Sequence, residues 1–156
     1  MGDDWRGKVG AMDTDEVVAF LREPVFARVA TLDEQGWPYV VPVWHEWNDG
    51  AFWVIGRKKS RWALNLERDR RCAVTVDEYG QQRKVVAQCE AELIETPNVG
   101  GQWVEIARRM SERYLGENGP EYLEPTLEWP RWLFALRPTR VWTWMGNDWA
   151  PSYKER

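Results

Sequence analysis

A run of basic residues between a predicted strand and a predicted helix carries the strongest chemical signal in the sequence. The run is Gly56 to Arg61 (GRKKSR), so four cations and a hydroxyl stand where the helix is expected to begin. Cationic side chains combined with the free backbone N–H groups of a helix start are what a phosphate group needs. The alternative is a solvated basic turn, because charge runs of this length are often plain surface.

Large aromatic side chains lie close to this run, and the chain has 12 Trp in all. From Trp37 to Trp47 (WPYVVPVWHEW), strand alternation places Tyr39 and His45 on one face and Trp44 on the other. Rings on both faces suit a strand covered by the core on one side and by a ligand or a second subunit on the other. Indoles fill cores as well as wall pockets for planar ligands, so both interpretations are open.

The other residues that could do chemistry are few. His45 is the single histidine and has no Asp, Cys or second His at motif spacing, so a packed or surface position is favoured over a catalytic one. Cys72 and Cys89 stand outside any CxxC motif and are expected to be small buried residues. This set allows no zinc-type cluster, and no metal site is predicted.

Composition narrows the class of protein. The 156 residues include 21 Lys+Arg and 25 Asp+Glu, a net charge of −4 that does not favour nucleic acid or anionic membranes as partners. No apolar run of about 18 residues is present, and the first residues lack the apolar core of a secretory signal. We expect a cytoplasmic protein with one domain over residues 1–156, a core of about 25–145, and tails at 1–12 and 146–156.

The predicted elements that must position these residues are mostly antiparallel. Turn-sized gaps join most consecutive strands, and Pro38 and Pro42 require the second strand to lie at an edge or carry a bulge. An antiparallel barrel that opens beside this strand satisfies both facts. Strands are predicted at 25–32, 37–47, 51–56, 71–76 and 83–94, with a final hairpin at 131–145. Helices are predicted between Asp13 and Pro24, over 61–68, and along Trp103, Ile106, Met110 and Tyr114, with a loop at 119–128.

This ordered set of segments resembles the pyridoxamine 5'-phosphate oxidase-like family of FMN-binding split β-barrels, which also includes deazaflavin-dependent reductases. The resemblance runs from Val25 to about Glu95 and rests on a DxxG-type turn, a P-x-x-x-P-V-W strand, an aromatic strand, a basic loop with Ser, and an N-L-x-R-D segment. It implies a mainly β (α+β) fold, an antiparallel split β-barrel with about three peripheral helices. It also implies a homodimer that holds the flavin between its subunits.

The resemblance further implies where the cofactor contacts the chain. The second strand passes the flavin ring, the third strand and the basic loop hold the ribityl phosphate, and the partner's last strands close the pocket. The residues implied at the flavin ring are Val41, Pro42, Val43 and Trp44. Those implied at the ribityl phosphate are Ile55, Gly56, Arg57, Lys58, Lys59, Ser60, Arg61 and Trp62. Those implied to close the pocket from the partner subunit are Trp142 and Trp144.

The chain departs from the family pattern at several of these positions. Gly56 stands where many members have Thr, Trp62 where they have Lys, and Cys89 where they often have Gly. Which cation of the basic loop replaces the missing Lys is left open. The tail at 145–156 lacks the histidine of the vitamin B6 oxidases, so oxidation of vitamin B6 is not the expected reaction.

The function implied is an FMN-dependent oxidoreductase that passes hydride from a nicotinamide or other donor to an unidentified small acceptor. The alternatives are a deazaflavin-coenzyme reductase of the same fold and a non-catalytic module that binds flavin or haem, with His45 as the only imidazole ligand for iron. The tryptophans divide into expected ligand walls (Trp37, Trp44, Trp47 and Trp53), core residues (Trp103 and Trp132) and tail contacts with a partner subunit (Trp5 and Trp149).

Overall fold

The computed structural model describes residues 6–155, which form seven strands and four α-helices. The strands are β1 (Ala27–Leu32), β2 (Pro38–Val43), β3 (Glu46–Asn48), β4 (Ala51–Arg57), β5 (Arg71–Asp77), β6 (Lys84–Asn98) and β7 (Arg131–Trp144). The helices are α1 (Thr14–Leu21), α2 (Arg61–Arg68), α3 (Trp103–Leu115) and α4 (Gly119–Leu123), and single 3₁₀ turns cover Gly116–Asn118, Glu124–Thr126 and Pro151–Tyr153. None of the helices in this part of the chain is long and apolar enough to cross a bilayer.

The strands form one antiparallel sheet in the order β2-β1-β5-β6-β7-β4-β3. This confirms the mainly β split-barrel class. The second strand lies at an edge, as its prolines predict: Pro38 pairs with Leu32 and Pro42 with Arg28, and within residues 6–155 β2 has no strand on its other side. A proline is tolerated there because its missing N–H leaves no ladder partner unpaired.

The segment 37–47 is two strands and not the single strand predicted. β2 ends at Val43, and β3, which begins at Glu46, lies at the opposite edge of the sheet. Trp44 and His45 therefore carry the chain from one edge to the other, which requires the sheet to curl. The opening of the barrel lies at this crossing, beside the proline-bearing strand.

Two further predictions are wrong in the C-terminal third. The expected hairpin at 131–145 is one strand, β7, because β6 is long enough to pair with it from Lys84–Trp144 to Asn98–Arg131. A register shift between Gln88 and Cys89, with Thr139 as the extra residue on β7, lets Pro138 lie opposite Cys89 without breaking the ladder. The expected loop at 119–128 contains α4 and a 3₁₀ turn.

Helices α1, α2 and α3 form where local sequence signals predict them. Asp13 accepts a hydrogen bond from the Glu16 N–H at 2.8 Å, and the Glu16 carboxylate accepts one from the Asp13 N–H at 2.8 Å. This reciprocal capping box satisfies two backbone donors at the start of α1. In α3 the predicted stripe is confirmed, since Trp103, Ile106 and Met110 are buried.

Alternation along β4 and β7 divides the apolar residues into two layers. Phe52 and Val54 of β4 point into the barrel with Phe134 of β7, and we call this layer the barrel core. Trp53 and Ile55 point out of the barrel and pack with α3, α4 and Leu133, and we call this layer the outer core. The outward face of β4 is therefore the floor on which the two helices rest.

Candidate functional site

A cavity of about 310 Å³ lies between the outward face of β4, the end of β2, and the helices α3 and α4. Six of the predicted cofactor-binding residues line it: Pro42, Val43, Trp44, Ile55, Arg57 and Trp62. The remaining lining residues are Phe26, Ala107, Met110, Tyr122, Leu123 and Arg131. Its size is at the lower end of the range for small-molecule sites, and its walls are mostly apolar and aromatic, as such sites usually are.

The other predicted residues lie outside the cavity. Lys59 and Arg61 line a separate groove between α2 and the β1–β2 turn, together with Arg68 and the acidic residues Asp33 and Glu34. Only Arg57 of the basic run lines the cavity. The run is therefore divided between two places instead of forming one cradle.

Three further positions of the predicted set, Val41, Lys58 and Ser60, are structural neighbours of the site. Val41 packs against the barrel core, and the exposed Lys58 accepts a hydrogen bond from Trp132 Nε1 at its carbonyl. Ser60 precedes α2 in an extended conformation, and its side chain makes no capping hydrogen bond among the described residues. Its hydroxyl remains available at the helix start.

A stack of aromatic rings forms one side of the cavity. The Trp44 ring lies 5.0 Å from the Tyr114 ring at an interplanar angle of 4°, and Phe26 stacks on the same Tyr114 at 5.7 Å. Tyr122 contacts Trp44 at 5.2 Å in a tilted arrangement. The Tyr114 hydroxyl donates to the Val25 carbonyl at 2.9 Å, so α3 holds the Trp44 indole in place before any ligand arrives.

Two arginines supply the only charges on the cavity wall within residues 6–155. Arg57 lies over the Trp129 ring at 4.5 Å, and Arg131 lies over the Trp103 ring at 4.7 Å. Arg131 is buried and donates to both the hydroxyl and the carbonyl oxygen of Thr126, at 2.6 and 3.2 Å. Burial, and next the charge of Arg57, lower the pKa of Arg131 from its usual value.

Arg131 is a site residue that sequence reasoning missed. It begins a strand that was predicted as half of a hairpin, and nothing near it in the sequence resembles a binding motif. The signal that could have found it is the register of β4 against β7, which pairs Arg57 with Arg131. That register is a long-range property and cannot be read from a local window.

The pyridoxamine 5'-phosphate oxidase family model matches residues 13–145 of the chain. The chain belongs to this family. Comparison with curated proteins gives no match. Among solved structures, an F420 reductase is 20% identical with a TM-score of 0.66, covering 79% of this chain and 93% of its own. The haem storage protein HutZ of Vibrio cholerae is 22% identical with a TM-score of 0.64, and the match covers 84% of this chain and 94% of HutZ. An FAD-binding protein of Mesorhizobium loti is 19% identical with a TM-score of 0.64, and the match covers 90% of this chain and 98% of that protein. At these identities the similarity shows a shared fold.

Two departures from the family pattern are physically linked in this member. A Cβ added at Gly56 would lie 3.0 Å from Cζ2 of Trp62 and 3.0 Å from Cβ of Ala63. The indole of Trp62 thus occupies the space that a Thr side chain would need at position 56. The absence of a side chain at Gly56 lets α2 approach β4 closely enough for Trp62 to wall the cavity.

The third departure, Cys89, lies opposite Cys72 across the β5–β6 ladder. Both are free thiols; Cys89 is buried, as predicted, whereas Cys72 is half-buried. A hydrogen bond with Cys89, and then burial, raise the pKa of Cys72 far above its usual value. The Cys72 thiol is therefore held in the protonated form, and neither cysteine lines the cavity.

His45 is fully buried and does not line the cavity. Its ring packs edge-on against Phe52 at 5.6 Å, and neither ring nitrogen has a hydrogen-bond partner among the described residues. Burial, and then the charge of Arg113, lower its pKa to about 4. In this position His45 is a neutral core residue and is not placed to ligate an iron in the cavity.

The tryptophans divide differently from the expectation. Of the four expected walls, only Trp44 lines the cavity: Trp37 is 69% exposed, Trp47 packs edge-on against Phe52, and Trp53 lies in the outer core. The expected core positions are confirmed, since Trp103 and Trp132 are buried.

The tail and last-strand tryptophans lie elsewhere. Trp142 and Trp144 line a separate groove with Trp149 and Tyr153, so they belong to no wall of the cavity within one protomer. Trp142 and Trp149 are exposed, and Trp5 lies outside the described residues. Contact of these rings with a partner subunit stays a prediction.

Proposed function

We propose that the protein is a flavin-binding oxidoreductase whose cofactor, FMN, lies in the cavity beside Trp44. The observation that carries the proposal is the meeting of Pro42–Trp44, Ile55, Arg57 and Trp62 at one aromatic cavity. These are positions at which the family resemblance expects flavin contacts. The fit is also chemical, because flat aromatic and apolar walls suit a planar ring, and arginines at the wall suit an anionic ligand.

The residues of the chain would bind, orient and shield the cofactor. Trp44, held by Tyr114, and Trp62, held over Gly56, would contact the ring, and Met110 and Leu123 would exclude water from it. The flavin would supply hydride transfer between a nicotinamide or other donor and a small acceptor. Since no Asp, Glu, His, Lys or Cys lies on the wall within residues 6–155, Tyr122 is the one wall side chain there of a kind that acts in acid–base catalysis.

A deazaflavin coenzyme is the second candidate, and the groove beside α2 favours it. Lys59, Arg61 and Arg68 line this groove and would attract the acidic tail of such a coenzyme. Asp33 and Glu34 line the same groove and offset part of that charge. The similarity to an F420 reductase makes the comparison of the two cofactors the first titration to perform.

The decisive experiment is the visible absorbance of the protein as purified and after incubation with FMN and desalting. We expect retained flavin absorbance, and quenching of tryptophan fluorescence as FMN or the deazaflavin coenzyme is added. Trp44→Phe should remove a measurable part of the quenching, whereas Trp47→Phe, whose ring packs against Phe52 in the barrel core, should not. A protein that stays colourless with both cofactors contradicts the proposal, and one whose bound flavin is not reduced by NADH or NADPH excludes a nicotinamide as the donor.

We further propose that the protein is a homodimer in which Trp142 and Trp144 of one subunit close the cavity of the other. Trp142 is 50% exposed in the single chain, which a partner contact would relieve. Light scattering after size exclusion should give twice the mass of the chain, and Trp142→Ala should weaken both dimer formation and FMN affinity. A monomeric protein with full FMN affinity would contradict this assignment.

A further inference from the structure

The two arginines on the cavity wall are direct neighbours across the sheet. Arg57 of β4 pairs with Arg131 of β7, so both side chains leave the sheet on the same face, toward the cavity. In the next pair along the ladder, the Lys58 N–H donates to the Pro130 carbonyl at 3.1 Å. Arg57 and Arg131 therefore occupy the alternate position, where Cα atoms are only about 4.5 Å apart and side chains are closest.

Like charges directly opposite each other on a sheet are destabilising. Neither guanidinium forms an ion pair with any residue from 6 to 155, although the chain forms many other Arg–carboxylate pairs. Burial, and then the charge of Arg57, lower the pKa of Arg131, and the second of these causes is the same repulsion. The pair lacks a negative partner within the described protein.

Both guanidiniums are nevertheless held in fixed positions. Arg57 rests on Trp129, and Arg131 rests on Trp103 and is bound to Thr126. Two cations fixed side by side at the wall of an otherwise apolar cavity are arranged to receive a group with two or more negatively charged oxygens.

We propose that the Arg57–Arg131 pair is an anion-binding subsite for the phosphate or carboxylate group of the ligand in the cavity. This inference rests on the proposed function, because the rest of that ligand is the planar molecule beside Trp44. The pair is separate from the Lys59–Arg61 groove, so the chain can bind two anionic groups at once. One belongs to the cofactor, and the other belongs to its coenzyme tail or to the acceptor.

The first arm of the test compares FMN with riboflavin, which differ by the phosphate. Dissociation constants are measured for wild type, Arg57→Gln and the control Arg140→Gln, which removes an exposed cation of the same strand as Arg131. If the pair holds the cofactor phosphate, Arg57→Gln reduces the preference for FMN by about tenfold and Arg140→Gln leaves it unchanged.

The second arm uses 2-naphthoate and 2-naphthol, a planar carboxylate and its neutral analogue, with the protein as purified. If the pair holds the acidic group of an acceptor, Arg57→Gln removes the preference for naphthoate and leaves the preference for FMN intact. Loss of the preference for the anionic ligand in either arm supports the subsite and identifies whether the cofactor or the acceptor supplies the bound anion. An anion preference in wild type that Arg57→Gln leaves unchanged in both arms, or no anion preference in wild type, overturns it.

Failure of the proposed function and failure of the anion-binding subsite give different results. A protein that binds no flavin but prefers naphthoate through Arg57 refutes the proposed function and retains the subsite.

Arg131→Gln is a poor test because it also breaks the hydrogen bonds to Thr126, so Arg57→Glu is the second variant. Placing a carboxylate beside Arg131 should raise Tm relative to Arg140→Glu and abolish both anion preferences. A Tm no higher than that of Arg140→Glu would contradict the repulsion on which the inference depends.

Discussion

The two faces of β4 have different tasks, although they alternate residue by residue along seven positions. The inward face (Phe52, Val54, Gly56) is buried in the barrel core, and every side chain on it is apolar or absent. The outward face (Trp53, Ile55, Arg57) packs partly against α3 and partly lines the cavity. One strand can therefore be held rigid by the packing of one face and bind a ligand with the other. Changes on the inward face should alter the free energy of unfolding, and changes at the end of the outward face should alter ligand binding.

The largest effect is expected from Phe52→Ala on the inward face. Phe52 is buried against Trp47 and His45, so truncation leaves a cavity and should lower the free energy of unfolding by about 3–5 kcal/mol. Urea denaturation followed by circular dichroism measures this. The matched change on the outward face, Ile55→Ala, should cost less because Ile55 is only half-buried. Equal losses for the two variants would contradict the division of the strand.

The second effect is a pH dependence of the free energy of unfolding, caused by His45, whose ring packs against Phe52 of the inward face. Its pKa is about 4 in the folded protein and about 6.5 when unfolded, so the unfolded state binds the proton more readily. Stability from the neutral ring is complete above about pH 6.5 and declines as the pH falls toward 4, by roughly 3 kcal/mol at most. His45→Gln should flatten this part of the stability–pH curve. A wild-type curve already flat between pH 6.5 and 4 would show that His45 is not buried in the neutral form.

The third effect concerns Gly56, where the inward face meets α2. Gly56→Ala should cost about 1–3 kcal/mol, because the new Cβ meets Trp62 and Ala63 at 3.0 Å. Combining it with Trp62→Leu should cost less than the sum of the two single changes, with a coupling energy of at least about 0.5 kcal/mol. Strict additivity in this double-mutant cycle would mean that the two departures from the family pattern are unrelated.

The smallest stability effect is expected from Arg57→Gln, at the end of the outward face. Arg57 is exposed and forms no ion pair within residues 6–155, so the free energy of unfolding should stay within about 0.5 kcal/mol of wild type. Its anion selectivity should fall, as described above. A large loss of stability would place Arg57 in the structural framework and weaken the contrast between the faces.

Much of this fold follows from local sequence signals. The helix start at Asp13, the DxxG turn between β1 and β2 (Asp33–Gly36), and the stripe of α3 are confirmed because each depends on residues a few positions apart. The edge position of β2 also follows, since Pro38 and Pro42 cannot donate to a second neighbour. These signals were enough to predict the fold class.

The errors lie where distant segments decide the outcome. The segment 37–47 reads as one strand, yet its two halves join opposite edges of the sheet. The segment 131–145 reads as a hairpin, yet pairing with the long β6 keeps it extended through Pro138. In both places local propensity is overridden by the partner strand, which no short window contains.

The sequence by itself determined the residue types of the site, with Trp44, the prolines of β2 and the basic run at the end of β4 close together along the chain. The tertiary structure alone decided which cations meet the cavity. Arg57 does so with Arg131, whereas Lys59 and Arg61 face a different groove. The physical reason is register: the pairing of β4 with β7 is set by the summed packing of both strands in the barrel core. It joins two arginines far apart in sequence that no motif connects.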